Sequence, residues 1–409
     1  MSVAPVRGAR PASRARPPRA GWRRTPPRGA LPAGLPFVLP FVLAALLLAL
    51  PAAAPGARAQ DAPDNWLPNP MPVDTFDSLD VNLFPILFYT PETRVGAGIG
   101  TWIISRDPRD DGNGKPDNLW MNVVYTQEQQ LIVQVIPEYF FRHGTYRLKA
   151  WFRYMDFPTR FYGIGHDAPA SAEEAYTPLT RSANFIFTRR VYEELSLGVL
   201  LDFNDTRILR TEAGGLLDSG MVLGAEGSRI LRLGAIASWD SREHHFNPRA
   251  GSLLEFTTLR YRELETDAYR FWRSGLDVRR YLPITDADVL SLHGLLQTVR
   301  GEAPFTALPQ LGGKFVMRGF FEGRYRDENL LVLQAEYRVQ LYERWGAAIF
   351  LSAGDVSDSL RSFNLGDFRL AGGLGLRYAY NVKERINLRL DVAVTEESSG
   401  VYFSVGEAF

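Results

Sequence analysis

From about residue 82 to the last residue, apolar and polar side chains alternate in segments of roughly ten residues separated by turn residues. The clearest segment runs from Arg385 to Val394. Ile386, Leu388, Leu390, Val392 and Val394 fall on one face, and Arg385, Asn387, Arg389 and Asp391 on the other. Successive side chains of a strand point to opposite faces. Charges at that density cannot face hydrocarbon, so the polar face must line a wet lumen while the apolar face meets lipid. Residues 329–341 repeat the pattern, with Leu331, Leu333, Tyr337 and Val339 outward and Gln334, Glu336, Arg338 and Gln340 inward.

Counting back on this pattern predicts strands near 400–409, 385–394, 368–380, 345–354, 329–341, 288–301, 268–282, 251–264 and 228–240. Further back lie 195–206, 178–191, 145–156, 129–142, 118–127, 93–105 and 82–89. The expected fold is all-β, a 16-stranded antiparallel transmembrane β-barrel. An even count puts both ends on one side of the membrane, as a single-chain bacterial barrel requires. The long connections 157–177, 207–227 and 302–328 all fall on the other side, as extracellular loops should. Residues 106–117 break that rule. Pro85 falls inside the first strand and cannot donate a ladder hydrogen bond. The seam that closes the barrel, between the first strand and the last, is therefore expected to be weak.

Charge and composition refine the boundaries. Residues 1–59 hold nine Arg and no acid. Removing those nine from the 46 basic residues leaves 37 against 46 acids, a net charge of −9 for the remainder. The basic stretch precedes an apolar run from Leu35 to Ala54 and the small-residue site Ala57-Arg58-Ala59, the pattern of a cleaved secretory signal peptide. The organisation expected is a signal peptide at 1–59, a short periplasmic segment at 60–80 and the barrel at 81–409. No later run reaches 18 apolar residues, so transmembrane helices are not expected. The chain has no Cys, which excludes disulfides and thiolate metal sites. Aromatics at 12% and 36 Gly suit strands ending in aromatic girdles and glycine-bearing turns.

One connection carries a distinctive sequence, Leu311-Gly312-Gly313-Lys314-Phe315-Val316-Met317-Arg318-Gly319-Phe320. Two turn-forming glycines stand before an Arg-Gly-aromatic tip. Asp240-Ser241-Arg242, followed by Pro248 and Gly251, marks the turn between the eighth and ninth strands. Gln334-Ala335-Glu336-Tyr337-Arg338 follows the loop, and Gly375-Leu376-Arg377 and a terminal Phe409 close the set. Over roughly residues 81–409 these motifs resemble the bacterial surface-antigen superfamily, the barrels of BamA and TamA and their two-partner-secretion relatives. The resemblance implies that the loop folds into the lumen and that Arg318 docks on inward polar residues. A guanidinium in a partly desolvated lumen needs a carboxylate partner, and inward-facing Glu336 is the candidate. The family's second acid aligns with Ser352, leaving Glu336 or Asp355 to carry the pairing. The resemblance also implies export to the bacterial outer membrane, outer-membrane lipids and the barrel-assembly machinery as partners, and a polypeptide or lipid cargo. Phe403, Val405 and Phe409, in phase with Val401, fit the C-terminal signal read by that machinery, with Glu407 interrupting it. The 60–80 segment is too short for a folded domain, so a barrel-only member without periplasmic POTRA domains is expected.

Other constellations are weaker. Asp107, Asp110, Asp111, Asn113 and Asp117 crowd one connection, but their spacing is not that of an EF-hand and Lys115 sits among them. Adjacent His244 and His245 point apart and do not chelate one metal. No phosphate-binding glycine loop opens a helix. Neither a cofactor, a metal, enzyme activity nor nucleic acid is expected. The function expected is insertion or translocation through the seam, with a passive pore, or a structural or surface-recognition barrel acting through its extracellular loops, as alternatives.

Overall fold

The computed structural model describes residues 79–90, 94–105, 116–264 and 268–409. The signal peptide, most of the 60–80 segment and the Asp-rich connection except Asp117 lie outside the described residues. Sixteen long strands follow one another. They are β1 (Leu79–Thr90), β2 (Arg94–Ser105), β3 (Asp117–Thr126), β4 (Leu131–Phe141), β5 (Tyr146–Asp156), β6 (Glu174–Tyr192), β7 (Leu195–Thr211) and β8 (Gly227–Asp240). Then come β9 (Gly251–Glu263), β10 (Arg270–Pro283), β11 (Val289–Glu302), β12 (Asn329–Tyr342), β13 (Trp345–Ser357), β14 (Arg369–Asn381), β15 (Ile386–Thr395) and β16 (Ser399–Val405). Each pairs antiparallel with the next, as hairpin-connected strands do. Among the described residues no helix is long and apolar enough to cross a membrane.

The alternation that predicted the strands is visible in their burial. On β15 Leu390, Val392 and Val394 are exposed outward while Arg389, Asp391 and Ala393 are buried inward. β6 and β7 run beyond their predicted ends, to 19 and 17 residues. That shortens the long connections to 157–173 and 212–226. These two loops and residues 303–328 meet over the barrel, where Phe161, Leu217, Ala225 and Phe305 pack with Tyr176 of β6. From the opposite side the 241–250 turn reaches into the lumen. Phe246 lies edge-on to Trp102, with ring centroids 4.4 Å apart, and His245 Nε2 stands 3.6 Å from Glu138 of β4.

The two ends of the sheet differ from expectation in length. β1 is 12 residues long, and Pro85 is paired only toward β2, opposite Ile99. β16 stops at Val405 rather than running to 409. Among the described residues β1 and β16 lie side by side without a ladder register. Near the start of β1, side chains from the end of β14, rather than from β16, reach it. Asn381 Nδ2 donates to Asp80 at 3.0 Å and to Asn82 Oδ1 at 2.9 Å, and the Tyr380 hydroxyl donates to the Leu83 carbonyl at 3.2 Å. Phe84 packs with Ile386 and Val405 beneath them.

Candidate functional site: a loop tip held by the inner wall

The loop between β11 and β12 reaches its tip through a narrow hairpin. Gln310 and Leu311 pair with Arg326 and Tyr325, and Gly313 donates its amide to the Phe320 carbonyl at 3.0 Å. Gly312 and Gly313 take φ of +111° and +89°, values that a side chain would strain. Gly319, at +110°, passes so close to β15 that a Cβ there would meet Thr395 Cγ2 at 2.7 Å. The tip's apolar residues Leu311, Met317 and Phe320 bury against Leu330, Val332, Val356 and Ala371 of the barrel wall.

Arg318 is 1% exposed and deep in the lumen. One guanidinium nitrogen donates to Glu336 Oε2 at 2.6 Å, and another bonds Asp391 of β15. The plane lies over the Phe350 ring of β13, 3.5 Å from its centroid. The neighbouring backbone grips the last hairpin: the Gly319 amide donates to the Tyr402 hydroxyl at 3.0 Å, and Ser398 Oγ donates to the Gly319 carbonyl at 2.7 Å. Both carboxylates are shared. Glu336 Oε1 accepts from Arg338 at 2.8 Å and Arg377 at 3.3 Å, and Asp391 Oδ1 accepts from Arg377 at 2.6 Å. Arg389 Nε lies 3.4 Å from Asp391. Such a network persists in a low-dielectric interior because every carboxylate has several donors.

Glu336 therefore meets Arg318 as the sequence suggested, and Arg338 joins from the same strand. Asp355 does not. It bonds Arg369 of β14 and lies 3.8 Å from His166 of the 157–173 loop, well away from Arg318. The acid missing at Ser352, whose hydroxyl donates to Gln334 at 3.2 Å, is supplied by Asp391. Its inward phase was legible, but nothing in one sequence says that β15 faces the loop tip. Arg377, Phe350 and Tyr402 were likewise missed as partners. The Asp240 and Arg242 pair closes its turn bidentately, at 2.8 and 3.2 Å, without touching Arg318. Gly251, at φ +94°, lets the chain turn against the Ser241 carbonyl, and Pro248 is buried in the same turn.

The chain end also departs from expectation. Phe403 and Val405 stay on β16 facing outward, but Phe409 shares no phase with them. Gly406, at φ +81°, turns the chain into the lumen. There Glu407 bonds Arg377 at 2.9 Å and Asn387 at 2.7 Å, and lies 3.5 Å from Arg338. Burial pushes the Glu407 pKa up, but Arg377 and Arg338 outweigh it and hold the carboxyl below its usual range. Phe409 lies against His293, its ring centroid 5.0 Å away, and its carbonyl accepts from Arg338 at 3.0 Å. The residue that interrupted the apolar phase is thus the one that fastens the tail inside.

Comparison with known proteins agrees with this fold. The Omp85 superfamily domain matches residues 114–409. BamA from Haemophilus ducreyi lacking POTRA domains 1–3 superposes with a TM-score of 0.53 at 14% identity, over 80% of this chain and 70% of that one. CdiB from Acinetobacter baumannii gives 0.49 at 14% identity, over 80% of this chain and 65% of that one. CdiB from Escherichia coli gives 0.49 at 11%, over 80% and 62%. The chain thus spans less than two thirds of either CdiB chain. No curated protein matches it. The match to the domain covers most of the chain, including the loop tip, Glu336 and Asp391, and the chain belongs to the Omp85 superfamily.

Proposed function

We propose that this barrel resides in the outer membrane and inserts or translocates a polypeptide, or a lipid, through the seam between β1 and β16. One observation carries the reading: the tip that holds Arg318 in the lumen also holds the hairpin bordering the seam, through Tyr402 and Ser398. Among the described residues β1 and β16 share no ladder, and the side-chain hydrogen bonds that reach β1 here come from the end of β14. Cargo in the lumen would meet the loop, and movement of the loop would pass directly to β16. The loops packed above the lumen and the turn inserted from below favour this reading over a steady open pore.

The chain has no native cysteine, so a disulfide pair joining β1 to β16 can be introduced cleanly. The oxidised barrel should lose cellular function and regain it on reduction. Unchanged function with a fully formed disulfide would rule out passage through the seam.

A further inference from the structure

We infer that the 241–250 turn is an internal brace: it reaches across the lumen from the wall opposite the seam and holds both margins of the seam together until it is displaced. The inference rests on the passage through the seam proposed above and names what keeps that seam shut.

The turn is long for its place. The other described connections at this end of the barrel, apart from the one between β2 and β3, are the short turns 142–145, 193–194, 284–288, 343–344 and 382–385. The 241–250 connection is twice the length of the longest of them, and it joins β8 to β9, half a circuit from the boundary between β1 and β16. Two side chains give it a shape of its own. The Glu243 carboxylate accepts from the backbone amides of Arg249 at 2.7 Å and Ala250 at 2.9 Å. His244 Nδ1 accepts from those of Phe246 and Asn247, each at 3.2 Å. At the base, Arg249 Nη1 donates to the Asp286 carbonyl at 3.2 Å. All these bonds lie within the turn or on its own side of the wall, so they survive when the tip leaves the seam.

The tip touches both margins. Phe246 stands edge-on to Trp102 of β2 and joins an apolar cluster with Phe84 of β1, Ile104 of β2, Ile386 and Leu388 of β15 and Val405 of β16. Glu243 Oε1 pairs with Arg385, in the turn before β15, at 3.1 Å. Both partners are more than a third exposed, so water screens the pair and it contributes little. The hold therefore lies with the ring. Apolar contact needs no directional bonds, which suits two margins that share no ladder among the described residues. Beside the ring, His245 Nε2 lies 3.6 Å from Glu138 of β4 and steadies the tip inside the lumen. A polypeptide or lipid entering from this end meets the turn before it meets Arg318. Moving the turn aside withdraws Phe246 from both margins at once, so entry is coupled to opening.

The chain has no native cysteine, so spin labels can be placed at exposed Leu83 of β1 and Val401 of β16. A second pair at exposed Leu233 of β8 and Phe256 of β9 reports on an intact ladder. Distances are measured by double electron–electron resonance on the full chain in lipid nanodiscs. The wild-type barrel should give one short seam distance. F246A should raise the longer-distance population about tenfold, the scale of losing a packed aromatic ring, with the control pair unchanged. F246L keeps an apolar side chain and should fall between the two. It also covers the case in which F246A does not fold, with heat-modified gel mobility as the folding check. A seam distance unchanged in the folded variants would overturn the inference. Equal broadening of the control pair would overturn it too, by making Phe246 a general packing residue. If F246A opens the seam while a β1–β16 disulfide leaves function intact, passage through the seam fails and the brace stands. The reverse result sinks the brace alone.

Discussion

A guanidinium with 1% exposure has lost nearly all its water, so Arg318 depends on Glu336, Asp391 and the Phe350 ring for its charge. The reverse dependence is weaker. Four arginines, 318, 338, 377 and 389, share three carboxylates, 336, 391 and 407. Removing Arg318 leaves three of each, and both of its partners keep donors. Arg318→Ala should therefore destabilise the barrel by less than the ~3–5 kcal/mol of a broken isolated buried pair, while the loop loses its anchor and conductance across planar bilayers rises. Unchanged conductance would remove the anchor role. Asp327, at the end of the same loop, works against docking: burial, with Asp358 and Glu328 nearby, pushes its pKa up to about 6. The docked loop then binds more protons than the released one, so docking is strongest below about pH 4 and weakens as pH rises to about 6. Asp327→Asn should strengthen docking at pH 7 by on the order of 1–2 kcal/mol, allowing for solvent screening. At pH 4 it should have no effect. Hydrogen exchange of residues 310–326 at the two pH values checks the sign.

At the scale of elements, the strands were legible because lipid and lumen impose a period of two on every one of them. All sixteen were anticipated, most within a few residues of their observed ends. The long loops were legible as loops but not as a packed layer, since Phe161, Leu217 and Phe305 lie far apart in sequence. Which inward acid meets Arg318 depended on the same unseen geometry: Asp391 and Asp355 are equally plausible on alternation alone. The tail failed for another reason. Val401, Phe403 and Val405 set a phase that Phe409 continues on paper, and only Gly406 and Glu407 hint that the strand has ended. Glu407→Gln should weaken the link to Arg377 and Arg338, at a cost of about 1–3 kcal/mol. Residues 406–409 should then exchange amide hydrogens faster while β15 and β16 stay protected. Unaltered exchange in the tail would mean that Phe409, on His293, holds it instead.

In the whole molecule, fifteen of the boundaries between neighbouring strands are hairpins or loop-linked pairs, formed by residues close in the chain. The sixteenth, between β1 and β16, has no ladder among the described residues, and Asp80 and Asn82 of β1 instead reach Asn381 at the end of β14, sequence separations of 301 and 299 residues. Contacts between such distant residues carry the largest loss of chain entropy, though that loss grows only logarithmically with length. The ladder between β1 and β2 can form as soon as both are present, whereas the Asn381 clasp must wait for nearly the entire chain. During assembly the sheet therefore exists first as an open ribbon whose two margins find each other last. On heating, the order reverses, and the margins part while each hairpin still holds its neighbour.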